Sequence, residues 1–574
     1  MRYTIFIITV FLPVFSYSQV QPSGFDYKKA EQSLEAIMQQ TIEDPSTQEQ
    51  VCAIASLVGV YQFVQHRYEE SIRTLEYAIS HSKEADEYIQ ILNNVFLVHA
   101  LCLTHNRNAL SRLRCLSPIL LELQENTIRG NFPVEYADGM RMVMNQLLLP
   151  LTSLVSRTFP DQEALSYCFN LMLFLKQFSF YQLGNKTGAD IKHYLYQDYT
   201  SLLSAKLQQG EVAIEFVPCI AINEDKKEGT DYVAYILNDK GKLKIVEVCD
   251  KKEVEELYRY NETSWQLYDD QSSQLSSLVW KKLMPYVNKK KCIYLSPCGI
   301  LNRVNYLLFD SRIHELSSTY ELAKTYTTNP HPRAVLIGDI DYDQTIASQI
   351  RGNRDWGKLK GTQIEIENVA KALSYNYDVT SLTKDKVSEQ NVRQLCNSSP
   401  TILHFATHAI CYTDSTYRSQ YGYFTFPNNY YPEKPELTYT GLVLSGGNMA
   451  FKETGNRQLT NDGILLSEEI SKLSLDRTSL VVLSACNSAN GIFDDIEGTL
   501  GLVKAFKLAG VRTIIASLSK VDDEATSEFM SVFYRRLSQK EDMHNAFVNT
   551  ISYMKTKHPT QPKFWAMFKI VDCR

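Results

Sequence analysis

The sequence contains no Cys-x-x-Cys pair, although 12 of its 574 residues are cysteine. Zinc ribbons and thioredoxin-type redox sites are built on that pair, so both classes are disfavoured. The cysteine density is also low for a disulfide scaffold, although an exported chain could form some bridges. If one cysteine stays reduced for chemistry, an odd number remains, so at least one more is unpaired or bridges to another chain.

The chain also lacks an excess of one charge and a long apolar run. It has 59 Lys+Arg and 65 Asp+Glu, a net charge of −6, whereas nucleic-acid-binding proteins usually show a strong basic excess. No stretch reaches the 18 or so uninterrupted apolar residues of a membrane-spanning helix. We therefore expect neither a nucleic-acid partner nor a transmembrane segment.

Metal-binding and nucleotide-binding motifs are missing as well. There is no His-Glu-x-x-His, and Asp339 to Asp343 begins like a calcium loop but has Gln344 where that loop needs glycine. The Gly446-Gly447-Asn448 turn lacks the Lys-Ser/Thr ending of a phosphate-binding loop. We therefore expect no metal and no cofactor.

The composition is that of a globular protein, with 44% hydrophobic and 22% charged residues. The length is enough for two to four domains. At the N-terminus, Arg2 precedes an apolar stretch at 5–15 and small residues at Ser16 and Ser18. This order is typical of a signal peptide, here residues 1–18, and predicts an exported chain that is periplasmic, surface-exposed or secreted. A buried N-terminal strand or helix is the alternative.

Residues 25–206 have a helical pattern with few Gly and Pro residues. Large and small residues alternate from Leu57 through Gly59 and Ser71 to Leu75 and Ala78, as in a tetratricopeptide unit with one extra residue in its turn. An irregular helical bundle gives a similar pattern. Either arrangement offers a surface for a protein partner.

Residues 208–574 form the second part of the chain, because the hydrophobic period changes near residue 210. The stretches 211–217, 232–237 and 243–248 predict a hairpin or meander within an α/β portion at 208–330. From 331 to 574, strands and helices alternate, which predicts a mostly parallel sheet flanked by helices. We expect Thr362 to cap a helix at 363–373, and 498–508 to form another helix.

Three predicted strands are each followed by polar side chains that can do chemistry. His408 follows the strand at 401–406, Cys486 follows the strand at 479–484, and Asp522 and Asp523 follow the strand at 512–517. Parallel sheets place their sites at the carboxyl ends of strands. A thiol needs a nearby base to form thiolate at neutral pH, and imidazole is suited to that task. A cysteine at a strand end is nevertheless more often an inert core residue, and a lone histidine is more often structural.

The sequence Leu-His-Phe-Ala-Thr-His-Ala at 403–409 and the sequence Val-Leu-Ser-Ala-Cys-Asn-Ser at 482–488 resemble the His and Cys motifs of CHAT-domain peptidases, which are related to caspases, separase and gingipains. Further segments in the order typical of the family lie at 292–301, 306–308, 359–367, 497–510, 515–526, 529–534 and 564–568. The resemblance covers roughly 210–574, and a tetratricopeptide-like array is a frequent companion of this domain.

The resemblance implies a caspase-like fold and a cysteine endopeptidase with a Cys/His dyad. His408 is then the general base and Cys486 the nucleophile, and the backbone N–H groups of Ala409 and Cys486 are candidates for stabilising the oxyanion. Relatives often have Gly at the position of Ala409 and Trp at the position of Ser519. The first difference can crowd the oxyanion, and the second can reshape the substrate pocket.

Asp522 and Asp523 fall where separase-like relatives place an acidic specificity residue. A carboxylate in the pocket favours Arg or Lys in a protein or peptide substrate, and we favour Asp523 for this role. Alternatively, these residues simply form an acidic first turn of the helix that follows.

Other interpretations remain open at this stage. A catalytically silent scaffold that binds a partner through its helical region is the main alternative to the peptidase, and a metal-dependent hydrolase lacks a ligand set. We interpret His404 as a structural residue of its strand. The stretch 413–435 is interpreted as a long loop beside the His motif, or as a gating loop.

Overall fold

The computed structural model describes the following parts of the chain: 27–38, 44–82, 87–128, 143–183, 198–220, 230–260, 274–343, 356–411, 440–450, 461, 463–485, 492–494, 498–518 and 523–574. The predicted signal peptide at 1–18 and the predicted loop at 413–435 lie outside these residues. Within the described part, no helix has both the length and the hydrophobicity needed to cross a bilayer.

The first part of the chain is helical. Its helices are α1 (Tyr27–Ile37), α2 (Pro45–Val64), α3 (Tyr68–His81), α4 (Glu87–Leu103), α5 (Asn108–Arg114), α6 (Leu116–Ile128), α7 (Leu149–Thr158), α8 (Gln162–Leu183) and α9 (Tyr199–Ser204), with a π-helical turn at Met144–Leu148. Asp44 caps α2, because its Oδ2 accepts the Thr47 N–H at 2.8 Å and Pro45 fits the first helical position.

The α2–α3 hairpin packs through its small residues. A Cβ atom at Gly59 would lie 2.7 Å from Leu75 Cγ, so only glycine permits this close approach. Ser71 Oγ donates to the Gly59 carbonyl at 2.7 Å. These contacts explain the alternation of large and small residues in this stretch, while its assignment as a tetratricopeptide unit stays a prediction.

A five-stranded sheet follows, in the order β3-β2-β1-β4-β5. Its strands are β1 (Glu211–Ile220), β2 (Thr230–Asn238), β3 (Leu243–Asp250), β4 (Cys292–Ser296) and β5 (Ile313–Glu315), and the accompanying helices are α10 (Lys251–Tyr260), α11 (Gln274–Val279) and α12 (Met284–Val287). The first three strands form the predicted meander, and β4 and β5 add in parallel. One face of β1 packs on the helical region and the other on the core of the last part of the chain.

The remaining strands are β6 (Arg333–Ile340), β7 (Asp378–Lys384), β8 (Ile402–Ala406), β9 (Ala409–Cys411), β10 (Thr440–Val443), β11 (Ile464–Leu466), β12 (Leu480–Ser484), β13 (Ile492–Asp494), β14 (Gly498–Leu500), β15 (Thr513–Ser517) and β16 (Phe568–Val571). Six of them form a sheet in the order β16-β15-β12-β8-β6-β7. All neighbours in this sheet are parallel except β15 and β16. The predicted mostly parallel sheet is therefore confirmed.

The central strands of the six-stranded sheet are buried on both faces. Along β12, Leu480 and Val482 pack into one hydrophobic cluster, and Val481 and Leu483 pack into the cluster on the opposite face. The helices of this part are α13 (Lys360–Leu373), α14 (Glu389–Asn397), α15 (Gly447–Ala450), α16 (Ser467–Ser471), α17 (Leu502–Leu508), α18 (Asp523–Ser538) and α19 (Met543–Lys557). Burial on both faces explains why these strands are continuous apolar runs.

Two local predictions are wrong. Helix α13 begins at Lys360 with Leu359 as its N-cap residue, so Thr362 lies inside the first turn. The Thr362 hydroxyl donates to the Leu359 carbonyl at 2.8 Å and accepts the Asp339 N–H at 3.1 Å, so it ties the helix to β6. Helix α17 begins at Leu502, because residues 498–500 instead pair with 492–494 as a hairpin.

A buried ion pair joins the helical region to the five-stranded sheet. Lys176 Nζ on α8 lies 2.5 Å from Glu215 Oε1 on β1 and also donates to the Phe216 carbonyl at 2.9 Å. Glu215 is fully buried, and its oxygens also accept the Ser296 hydroxyl and the Thr319 N–H, each at 2.7 Å. The carboxylate is thus supported by partners from three separate segments.

A second buried pair joins the two sheets. Lys507 Nζ on α17 lies 2.8 Å from an oxygen of Asp572, just after β16, and 3.5 Å from Glu321. Ser317, just after β5, donates its N–H and its hydroxyl to the two Asp572 oxygens at 2.7 and 2.8 Å. The C-terminal strand is thereby tied to the edge of the other sheet.

We expect K176M to lower the free energy of unfolding by about 3–5 kcal/mol, because it leaves Glu215 as a buried charge without its cation. The matched control is R114M, which removes one partner of the exposed Arg114–Glu163 pair and should cost less than about 1 kcal/mol. Chemical denaturation followed by circular dichroism measures both. Equal losses in the two variants would contradict this account of the buried pair.

We also expect the stability to fall between about pH 6.5 and pH 4 because of two buried histidines. Burial lowers the pKa of His99 to about 4, and burial with the adjacent His314 ring lowers the pKa of His544 to about 4. Above pH 6.5 both states hold these rings neutral. As the pH falls, the unfolded chain binds protons first, so about 3 kcal/mol is lost per histidine by pH 4 and little more below it.

The thermal midpoint of H544Q, measured from pH 7 to pH 4, should fall less steeply than that of the wild type. Carboxylates remote from residue 544 titrate alike in both proteins, so the difference between the two curves reports on His544 and on His314, whose ring stacks against it. Parallel curves would show that His544 does not contribute.

Candidate functional site

The pairing of β8 with β12 places the two predicted catalytic segments side by side. Ala406 and Ser484, the last residues of these strands, are partners in parallel register, and the Thr407 N–H donates to the Ser484 carbonyl at 3.3 Å. His408 stands two residues beyond Ala406. The chain leaves β12 at Ala485, whose carbonyl accepts the Ser517 hydroxyl from the end of β15.

Cys486 lies outside the described residues, so its pairing with His408 stays a prediction. Neighbouring strands lie about 4.8 Å apart, and both segments leave the sheet at the same edge. The described backbone therefore brings the approach to Cys486 next to the approach to His408.

The imidazole of His408 makes a hydrogen bond through Nε2 and is flanked by two aromatic rings. Its Nε2 lies 2.8 Å from the Gly357 carbonyl oxygen, and the Tyr342 and Trp356 ring centroids are each 5.0 Å from the imidazole centroid. A carbonyl oxygen can only accept a hydrogen bond, so Nε2 carries the proton in the neutral ring. Nδ1 is then the nitrogen with the basic lone pair.

The backbone on both sides of His408 is fixed by strand pairing. The His408 carbonyl accepts the Val443 N–H at 2.9 Å, and Ala409 begins β9 opposite Leu442 of β10. The Thr407 hydroxyl donates to the Val443 carbonyl and lies 3.1 Å from the Tyr342 hydroxyl. The role of the Ala409 N–H toward an oxyanion stays a prediction.

The candidate specificity residues lie at the end of the next strand. Asp523 begins α18, which follows β15, the neighbour of β12. Asp522 and the side chain of Asp523 lie outside the described residues. A position at the start of a helix suits both interpretations, a substrate-binding carboxylate and an acidic first turn.

His404 is a structural residue, as the strand pattern predicts. It is fully buried on β8, with Nε2 2.9 Å from Glu365 on α13 and Nδ1 3.0 Å from the Tyr534 hydroxyl on α18. These contacts join the central strand to two helices that cover the sheet.

Several described cysteines are poor candidates for a nucleophile. Burial raises the pKa of four thiols to about 12, and these are Cys102, Cys168, Cys396 and Cys573. Cys115 is exposed on the helical region, remote in sequence from His408. Cys486 therefore stays the predicted nucleophile.

The residues that hold His408 were not indicated by the sequence patterns. Trp356, Gly357 and Tyr342 come from the ends of a segment between β6 and α13 that has no regular hydrophobic period. A usable signal was present, since Trp356 is one of only 4 tryptophans in the chain. Lys358 adds an ion pair at 3.0 Å to Asp339, a buried residue with a left-handed φ of 49° at the end of β6.

Comparison with solved structures gives distant matches. The separase–securin complex of Saccharomyces cerevisiae matches at 9% identity, over 98% of this chain and 49% of that chain, with a TM-score of 0.46. Another structure of that complex gives 9% identity, 95% and 48% coverage, and a TM-score of 0.43. This chain thus spans about half the length of the separase chain.

The complex of Porphyromonas gingivalis RgpB pro- and mature domains matches at 11% identity, over 56% of this chain and 77% of that chain, with a TM-score of 0.31. No curated protein sequence matches the chain.

The sequence model of the CHAT domain matches residues 287–572. This range includes the whole six-stranded sheet, His408 and Cys486. The predicted domain start at 208 lies before the matched range and stays a prediction. The chain is therefore a CHAT-domain protein, with its CHAT domain at residues 287–572.

Proposed function

We propose that this protein is a cysteine endopeptidase in which His408 and Cys486 form the catalytic dyad. The observation that carries the proposal is the parallel register of β8 and β12, which ends both strands at one edge of the sheet. The hydrogen bond from His408 Nε2 to the Gly357 carbonyl supports it, because that bond selects the tautomer of a general base.

In the first step, His408 Nδ1 takes the proton of the Cys486 thiol. The Gly357 carbonyl still accepts the Nε2 proton of the resulting imidazolium, and two aromatic rings within 6 Å favour a cation at this place. The thiolate attacks the scissile carbonyl carbon, and the oxygen of that carbonyl becomes an oxyanion. The N–H groups of Ala409 and Cys486 stabilise it.

Collapse of the tetrahedral intermediate breaks the peptide C–N bond, and the leaving amine takes the proton from His408. The remaining acyl-enzyme is a thioester on Cys486. Water then attacks the thioester with His408 again as the base, which releases the carboxylate product and restores the thiol.

Two further parts of the proposal concern recognition. Asp523 selects Arg or Lys on the N-terminal side of the cleaved bond by charge pairing. Helices α1–α9 dock a protein partner or substrate, and the Lys176–Glu215 pair ties α8 of this region to the five-stranded sheet. The proposal also includes export of the chain after removal of residues 1–18.

We expect a peptidyl acyloxymethyl ketone to label the wild-type protein and to fail with C486A, because the thiolate displaces the acyloxy group to form a stable thioether. H408A should slow labelling by about 100-fold or more, since the thiol loses its base. Intact-protein mass spectrometry measures the added mass.

The matched control is C115A, which removes an exposed thiol of the helical region and should label like the wild type. Persistent labelling of C486A would end the assignment of the nucleophile. An unlabelled wild type with no cleavage of any library peptide would favour the scaffold interpretation.

We expect D523A to lower kcat/KM for substrates with Arg or Lys before the cleaved bond by about 100-fold, because a desolvated charge pair is lost. Cleavage profiling with a peptide library measures the preference. E524A is the control, since Glu524 is an exposed acid in the same first turn of α18. If D523A lowers only the stability, Asp523 stabilises the first turn of α18 and does not bind the substrate.

A further inference from the structure

Asn448 is a buried side chain that connects two separate segments near His408. It lies in the short helix α15 and is 0% exposed. Its Oδ1 accepts the Trp356 N–H at 2.7 Å, and its Nδ2 donates to Asp343 Oδ1 at 2.6 Å and to the Trp356 carbonyl at 3.3 Å. Its own N–H donates to the Tyr342 carbonyl at 3.1 Å.

Both of these segments contact the imidazole of His408. Tyr342 and Trp356 supply the flanking rings, and the Gly357 carbonyl accepts from Nε2. Asn448 binds both the N–H and the carbonyl of Trp356, so it fixes the peptide immediately before Gly357. The direction of the Gly357 carbonyl follows from that peptide, because only two backbone dihedral angles separate them.

The turn before Asn448 is shaped to reach these segments. The Ser445 hydroxyl and the Gly446 N–H both donate to the Asp341 carbonyl, at 3.0 and 3.3 Å. Gly446 has a φ of +81°, and a Cβ atom at Gly447 would lie 2.5 Å from Val443 Cγ1. The Gly446-Gly447-Asn448 turn therefore binds the backbone of residues 341–343. This contact gives the glycine-rich motif a structural role, although it lacks the ending of a phosphate-binding loop.

We infer that Asn448 is a positioning residue for the general base, which holds the Trp356–Gly357 segment so that His408 keeps its proton on Nε2 and directs Nδ1 to the thiol. Its effect on catalysis rests on the proposed function, whereas its effect on the His408 tautomer does not. Asn448 is fully buried, so it offers no surface to a substrate.

The test compares N448A with N305A. Asn305 is an equally buried asparagine whose Nδ2 donates to the Ala566 and Phe568 carbonyls beside β16, at the far edge of the six-stranded sheet. Both variants remove a buried amide, so we expect similar decreases of the thermal midpoint. Only N448A should change the site.

We expect N448A to lower kinact for the acyloxymethyl ketone by 10- to 100-fold with little change in KI, because a small displacement of a catalytic group is enough for such a loss. N305A should stay within about 2-fold of the wild type. For a peptide that the protein cleaves, N448A should likewise lower kcat and leave KM nearly unchanged.

A second readout is independent of catalysis. In protein labelled with 15N-histidine, the long-range proton–nitrogen NMR spectrum reports the tautomer of each ring, and H408Q assigns the His408 signals. We expect the Nε2–H tautomer to dominate in the wild type and in N305A, and to lose its dominance in N448A.

Rescue tests the hydrogen bond itself. N448D places a carboxylate against Asp343 and should be more impaired than N448A. The double variant D343N/N448D exchanges the donor and the acceptor of that contact and should recover part of the labelling rate and of the tautomer.

An N448A protein with the kinact and the tautomer of N305A would overturn the inference, even if Cys486 is labelled as proposed. A wild type that is not labelled at Cys486 would overturn the proposed function, and the tautomer would still decide the role of Asn448.

Discussion

The parallel hydrogen bonding between β8 and β12 is the constraint on which the rest of the site depends. It sets Ala406 beside Ser484, so the chain turns toward His408 and toward Cys486 from adjacent points. The register is held by packing, since alternate residues of β12 are buried in clusters on opposite faces. A slip of one residue would exchange the two faces and break both clusters. The core therefore sets where the strands before His408 and Cys486 end.

Around this pair of strand ends, the environment of His408 is built from segments that follow β6 and β10. Thr407 and the His408 carbonyl bond to β10, Tyr342 and Trp356 flank the ring, and Asn448 joins the last two. Each contact is ordinary alone. Together they fix the orientation of the imidazole, and a preorganised imidazole is what the proposed general base requires. The proposed general base therefore depends on the converging loops as much as on His408 itself.

Buried ion pairs mark the junctions between the parts of the chain. Lys176 and Glu215 join the helices to the five-stranded sheet. Lys507 on α17 pairs with Asp572 after the C-terminal strand, and Asp572 also accepts from Ser317 beside the five-stranded sheet. Such pairs add little net stability compared with apolar packing, but removing one partner is costly. An arrangement of the parts that left one of these buried charges without its partner would be less stable, so the pairs favour a single arrangement.

The order of elements, the parallel sheet, the strands that end before His408 and Cys486, and the structural role of His404 followed from the sequence. Each depends on local periodicity or on burial of a continuous apolar run, which neighbouring residues already encode. Local patterns misplaced the cap of α13 and the start of α17, because Thr362 bonds to β6 and residues 498–500 pair as a strand. Only the tertiary structure brought Asn448 to Trp356, which is 92 positions away along the chain. No short-range pattern encodes a contact of that separation, because it forms only after the sheet has brought the loops together.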